Sequence, residues 1–246
     1  MCYHTSLLAD IPTLEARFDA TMPASVGFTP AYHINAYAFP RYPILTHQQP
    51  GQFQAIRWGL VPHWVKSKAD ADKLRAQTIN ARSETIYEKP AYRQAAKRAQ
   101  RCIIPVTGFF EWHTDGKQKY PFYLSTDQPI TSIAGLWDEW PDPDTGEVVT
   151  TFSLLTTDAN SLLAAVHNEK KRMPCVLTPE AERSWLYDEL TERDALALLT
   201  TTYPAQHMHS QSISKRITSR TEDSNVPEVL APFTYPELTG KTELVA

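Results

Sequence analysis

The sequence predicts an α+β fold, with an antiparallel, barrel-like β-sheet core and peripheral helices, and three observations carry that expectation. Short strand-like runs crowd the middle of the chain: Cys102 to Val106, Gly108 to His113 and Tyr120 to Leu124. Asp115-Gly116 stands between two of them, and an Asp-Gly flanked by apolar runs is a strong short-range hairpin signal. Segments with helical spacing are inserted between hairpin-type strands, the pattern of an α+β chain.

Taken in order, Ile11, Leu14 and Phe18 recur at helical spacing with Pro12 in the first turn, which reads as a short amphipathic helix. Between Ala31 and His47, Pro40 and Pro43 exclude a long helix and favour extended loop and edge strand. Phe53 to Val61 reads as a strand, and Tyr92 to Gln100 as a helix after Pro90. Strands are expected at Ile130 to Trp137 and Val148 to Thr157, separated by the turn-rich Pro141 to Gly146. Helices follow over Asn160 to Val166, Pro179 to Asp188 and Glu192 to Leu199, the last two opening on Thr178 and Thr191 as N-caps. Met208 to Ser214 reads as one more strand. From Ser219 the chain is polar and proline-containing, and only Val226 to Leu230 is expected to dock. No internal repeat or linker divides the chain, so a single domain over residues 2–230 is expected, with residues 231–246 as a C-terminal tail.

At 246 residues and 42% hydrophobic, the chain can bury a sizeable core. The first twenty residues include Asp10 and Glu15 and no apolar run of signal-peptide length, and no stretch of about 18 uncharged apolar residues could span a bilayer. A soluble, cytoplasmic protein without a membrane partner is expected. Cys2, Cys102 and Cys175 are far apart and odd in number, which suits a reducing compartment rather than a disulfide framework. They lack zinc-ligand spacing, and the one tight histidine pair, His207 and His209, lies in a strand-like stretch, so no metal or cofactor is expected. The net charge of −4 argues against a generally basic nucleic-acid protein, but its distribution is uneven. Between Lys66 and Arg101, ten basic residues stand against four acidic ones. That surplus fits either a face for an anionic partner or a solvated basic helix.

Polar residues also stand where core is expected. Glu111 lies between Phe110 and Trp112; pointing inward it would be a carboxyl of raised pKa and a general acid or base, pointing outward a solvated strand residue. Alternation alone leaves both open. Asn80 and Arg82 are two apart, so an extended backbone puts both on one face, an orienting amide beside a phosphate-gripping guanidinium. His167 ends a helical stretch and precedes Lys170, Lys171 and Arg172, which suits a helix cap or a catalyst. Cys2 sits one residue behind Met1, so removal of Met1 would expose a free α-amine next to a thiol.

Five motifs, "MC" at the start, "RWGLVPHW" (Arg57 to Trp64), "INARSET" (Ile79 to Thr85), "GFFEW" (Gly108 to Trp112) and "HNEKKRMP" (His167 to Pro174), occur in one order and spacing. In this the chain resembles the SRAP family, the SOS response-associated peptidases also described as abasic-site processing proteins, from Cys2 to about Leu230. The resemblance implies capture of abasic sites in single-stranded DNA by Cys2 as a covalent thiazolidine crosslink once Met1 is gone. It implies that Asn80 holds the Cys2 amine or the sugar, that Glu111 shuttles the proton, and that His167 assists the imine stage. Arg82 and Arg172 would grip phosphates, with Trp64 and Pro40 supporting exposed bases. His4 stands where many members carry an arginine, so that phosphate contact is lost or becomes titratable. Three additional residues also separate His167 from Arg172 compared with the His-Asp-Arg form of many members. A monomer suffices for one-to-one capture, with nucleoid association when DNA is damaged. The alternatives are a thiol peptidase or autopeptidase using Cys2 and a non-covalent reader of damaged single strands.

Overall fold

The computed structural model describes residues 2–244; Met1, whose removal the sequence reading expects, and residues 245–246 of the expected tail lie outside them. The strands, in chain order, are β1 (His4–Leu7), β2 (Ala31–Asn35), β3 (Arg41–Thr46), β4 (Gln49–Trp58), β5 (Asn80–Arg82), β6 (Arg101–Val106), β7 (Gly108–Asp115), β8 (Gln118–Thr126), β9 (Thr131–Pro141), β10 (Val148–Asp158), β11 (Arg172–Pro174), β12 (Val176–Leu177) and β13 (Met208–Ser212). The helices are α1 (Ile11–Phe18), α2 (Lys68–Gln77), α3 (Arg93–Lys97), α4 (Ser161–Val166), α5 (Pro179–Tyr187) and α6 (Glu192–Thr200). No helix among the described residues is long and apolar enough to cross a membrane.

Strands β10, β4, β3, β6 and β9 pair in that order and β9 returns to β10, closing a five-stranded barrel. Every contact around it is antiparallel except β10 with β4, which is parallel. Closure removes the sheet edges that would otherwise pair with other chains. Its filling is aliphatic and aromatic: Ile44, Ile104, Ile133 and Leu154 are buried, and the Trp58 and Phe152 rings stack at 5.4 Å. Burying each such side chain contributes about 1.5–3 kcal/mol. A second, wholly antiparallel sheet runs β13-β8-β7-β1-β2, with β7 at its centre and the N-terminal strand β1 between β7 and β2.

The expected hairpin is formed by β7 and β8, with Asp115 opposite Gln118 and Gly116 at φ +58°, the left-handed conformation that glycine adopts without strain. Asp10, Asn160, Thr178 and Thr191 each cap a helix by accepting from a backbone N–H three residues on, worth about 1 kcal/mol apiece. Three readings change. First, β3 is an inner barrel strand rather than an edge. Pro43 is tolerated because β6 pairs with β3 only at Leu45 and Thr46, so no ladder donor is demanded of it. Second, the basic segment, left open between an anionic-partner face and a solvated basic helix, contains α2, a helix capped by Ser67 with Lys68 and Lys73 on its exposed face, whose bounds the sequence did not mark. Third, docking of the C-terminal segment continues past Leu230. Tyr235 and Leu244 are buried, Phe233 N–H donates to Ser212 O at 2.8 Å, and the Tyr235 hydroxyl donates to Ile213 O at 2.8 Å.

Candidate active-site cleft

Alternation along β7 decides which way Glu111 points. Phe110 packs with Ile213, Ile217 and Val229 on one face of the sheet, and Trp112 packs against that same cluster. Phe109 belongs to the main core, and Glu111, two residues on, follows it inward and is buried. Burial therefore pushes its carboxyl up to about 7, into the range where it can both give and take a proton near neutral pH.

His167 comes to meet it from the end of α4, where its N–H closes the last helical turn on Leu163 O at 2.7 Å. Its Nδ1 lies 2.8 Å from Arg172 O. A carbonyl can only accept, so Nδ1 carries the proton, which leaves the Nε2 lone pair facing Glu111 Oε2 at 3.8 Å. Burial lowers the imidazole pKa. A raised acid and a depressed base thus face one another, and a movement of less than 1 Å makes a hydrogen bond through which one proton can be shared.

Cys2 is fully buried behind this pair, with its thiol donating to His4 O at 3.5 Å. Burial first, and then the Glu111 charge, push the thiol up. In front of the pair opens a cleft of about 580 Å³ whose walls include Tyr3, His4 and Trp112. Lys117, Lys119, Lys170 and Lys215 rim it. None of these lysines belongs to the basic segment singled out by charge counting. They come from the β7–β8 hairpin, the turn after His167 and the turn after β13, segments far apart in sequence. Lys170 lies within a quoted motif, which was the only local signal; the others gather through topology.

Sequence comparison bears on what such a cleft is for. The family model described as SOS response associated peptidase (SRAP) matches residues 1–220. The chain belongs to the SRAP family. Its relatives include the abasic site processing protein YoqW of Bacillus subtilis (strain 168), 32% identical over 235 residues, 94% of this chain and 99% of that one. The abasic site processing protein HMCES of Xenopus tropicalis is 30% identical over 76% of this chain and 59% of its own. A crystal structure of a protein from Bacteroides thetaiotaomicron, 38% identical, superposes with a TM-score of 0.88 over 95% of this chain and 100% of that one.

The residues carried over from the SRAP motifs are differently placed. Glu111 and His167 line the cleft, and the buried Cys2 thiol feels the Glu111 charge. Asn80 is buried at the start of β5, and neither atom of its side-chain amide has a hydrogen-bond partner among the described residues. An unsatisfied buried amide costs about 1–3 kcal/mol. Arg82 is exposed at the other end of β5. Trp64 is 46% exposed and separates two surface hollows of about 460 and 510 Å³. The second hollow also exposes Arg93 and Arg98. Neither Trp64 nor the half-buried Pro40 is among the residues lining the cleft.

Two expectations are corrected. Arg172 is buried, and its guanidinium forks onto Glu84 at 2.6 and 2.9 Å, with Asp158 at 2.8 Å and Thr156 O at 2.6 Å. Burial alone would lower its pKa, but these carboxylates raise it. It is a structural cation locking β11 to β10 and the turn after β5, with both terminal nitrogens of the guanidinium already engaged by protein acceptors. His4 is likewise no substitute for a phosphate-binding arginine. Its Nδ1 is 2.7 Å from His33 Nε2, its ring packs edge-on to Trp112 at 5.1 Å, and burial and the neighbouring His33 hold its pKa down to about 3. At neutral pH it is an uncharged wall of the cleft.

Proposed function

We propose that this chain captures abasic sites in single-stranded DNA through Cys2 as a covalent thiazolidine, with the cleft as the reaction chamber. The observation that carries the reading is the buried Glu111–His167 pair at 3.8 Å, standing against the residue whose amine and thiol the chemistry needs. Once Met1 is removed, the α-amine of Cys2, with an ordinary pKa near 8, is substantially neutral, whereas a lysine near 10.4 is almost wholly protonated. Protonated Glu111 gives its proton to the ring oxygen as the C1′–O bond breaks, and the C1′ hydroxyl passes its own proton to His167 Nε2, leaving the aldehyde. The amine nitrogen adds to C1′, water leaves, and an imine forms. The Cys2 sulfur then adds to the imine carbon while its proton passes to the nitrogen, closing a five-membered ring. His167 Nε2 holds and returns the proton that Glu111 cycles. Asn80 orients the amine or the sugar with its open amide, and Arg82 and the lysine rim hold flanking phosphates. Trp64 and Pro40, set apart from the cleft, would support bases further along the strand. A thiol peptidase is the weaker reading, because such enzymes need a thiolate at neutral pH and burial drives the Cys2 thiol the other way.

Intact mass before and after incubation with a single-stranded oligonucleotide bearing one abasic site tests the proposal, with Cys2→Ala alongside. The expected result is a Met1-free chain that gains the oligonucleotide mass less one water, in a heat-stable adduct absent from Cys2→Ala. Met1-free protein that forms no adduct would overturn it.

A further inference from the structure

Next to the cleft lies a larger cavity of about 860 Å³, and the two share Gln118, Lys215 and Thr218 in their walls. Its far wall is built from the C-terminal segment beyond residue 220, where the family match ends. Phe233 and Tyr235 pack tilted at 4.7 Å between ring centres, and Tyr235 meets Tyr120 of β8 edge-on at 4.9 Å. Lys215 Nζ sits 5.4 Å from the Tyr120 ring centre. Tyr120 and Tyr235 are buried as the backing of this wall, while Phe233 is left 47% exposed.

The segment is held in place rather than draped over the sheet. Phe233 is pinned on both sides of its peptide, its N–H donating to Ser212 O and its carbonyl accepting from the Ser212 hydroxyl at 2.7 Å. Lys241 pairs with Asp115 of the hairpin at 2.8 Å. An exposed aromatic ring on a fixed backbone presents a flat face without losing much conformational freedom on binding. Of the charges lining the cavity, Arg216 and Glu222 neutralise one another at 3.1 Å, leaving Lys215 at the shared boundary and Glu237 on the far wall. Positive charge thus lies on the cleft side, and aromatic surface with an acceptor lies beyond it.

We infer that this cavity is a nucleotide subsite for the single strand that leaves the cleft, with a base stacked on Phe233 and its phosphate facing Lys215. This rests on the single-strand reading above and extends it. The stacking platform, the adjoining cation and the continuity with the lysine-rimmed cleft are the elements that sequence-tolerant binding of single strands requires. Glu237 can accept from an exocyclic amino group, so a thymine there binds less well than a cytosine or an adenine. The C-terminal segment, folded against β13 and β8, supplies the aromatic wall of the subsite.

The test uses labelled oligonucleotides carrying a tetrahydrofuran abasic analogue, which cannot form the imine. One has the analogue at its centre, and two series are trimmed a nucleotide at a time on the 5′ or the 3′ side. Fluorescence anisotropy with the wild-type chain and Phe233→Ala should show about ten-fold weaker binding of the centred strand by the variant, in line with the worth of one base stack. That difference should disappear in one trimmed series and persist in the other. Lys215→Gln should reproduce the same side dependence more weakly. Equal affinities of wild type and Phe233→Ala for every strand would overturn the subsite. A natural abasic strand run in parallel on denaturing gels separates the two ideas. Capture without Phe233 dependence overturns only the subsite, whereas Phe233-dependent binding without capture overturns the crosslinking reading and leaves the subsite standing.

Discussion

Two buried charged clusters lie within one short loop of each other, joined by the bond from His167 Nδ1 to Arg172 O, and they are built on opposite plans. At Arg172 every charge is answered: two carboxylates and a backbone carbonyl surround the guanidinium, whose pKa is raised. Its partner Glu84 has a pKa lowered overall, burial pushing upward but the Arg172 contacts outweighing it. At Glu111 an imidazole stands 3.8 Å away, itself depressed by burial, and desolvation outweighs the contributions that lower the carboxyl pKa, so it rises to about 7. A satisfied ion cluster holds one protonation state over the whole physiological range and therefore fastens strands. An acid whose pKa burial lifts to about 7 changes state near neutrality and therefore can do chemistry.

The largest effect that would sharpen this contrast is at the acid. Glu111→Gln should lower the rate of crosslink formation by about 10²- to 10⁴-fold while the protein stays folded, as followed on denaturing gels over time. A variant that captures at the wild-type rate would remove Glu111 from the chemistry and dissolve the contrast.

Arg172→Met should cost about 3–5 kcal/mol in urea unfolding, because Glu84 and Asp158 are left facing an uncharged chain. If stability is unchanged and only affinity for DNA falls, Arg172 is a phosphate contact after all and the two clusters are not different in kind.

Stability against pH gives an effect of similar size and a sign. The Glu111 carboxyl binds its proton near pH 7 when folded and near 4.5 when unfolded. Between those values the folded state holds more protons, so its contribution to stability falls as pH rises, by on the order of 3 kcal/mol across the window. Glu111→Gln should flatten that slope and be the more stable protein at pH 8. His4 and His33 act in the opposite sense, burial holding them at about 3 and about 4 against an ordinary 6.5. Below pH 6.5 the unfolded state takes up protons that the folded state refuses, so stability is lost on acidification toward pH 4. Thermal melts of wild type, Glu111→Gln and His33→Gln from pH 4 to 8 separate the two slopes.

The smallest effect is at the rim. Lys119→Gln should weaken binding of abasic single strands evenly across sequences and reduce the dependence of log affinity on log salt by about 0.7, the share of one phosphate contact. An unchanged salt slope would show that its pairing with Glu169 at 3.4 Å already spends that charge.

Much of this architecture was legible in the chain. Local rules gave the β7–β8 hairpin from Asp115-Gly116, α1 from its apolar spacing, and the caps of α5 and α6 from Thr178 and Thr191, because each is set by neighbours within a few residues. α2 was missed because its ten residues include only one with an aliphatic side chain larger than alanine, so no apolar stripe marks it. Motif order identified Cys2, Glu111 and His167 as candidates together.

What the sequence could not decide was how each charge is answered, since that depends on partners remote along the chain. Glu111 faces inward because β7 is clamped between β1 and β8, and it meets His167 because α4 ends beside it. Arg172 was indistinguishable from a phosphate-binding arginine until Glu84, 88 residues away, was seen to occupy it. The basic surplus of residues 66–101 was real, yet the cleft draws its cations from four other lysines brought together by the hairpin and two turns. Residue type and local pattern thus determined the fold class and the chemical candidates, because those follow from short-range sterics and hydrophobic periodicity. Burial and pairing, which set every pKa, became definite only when the barrel and the second sheet closed around them.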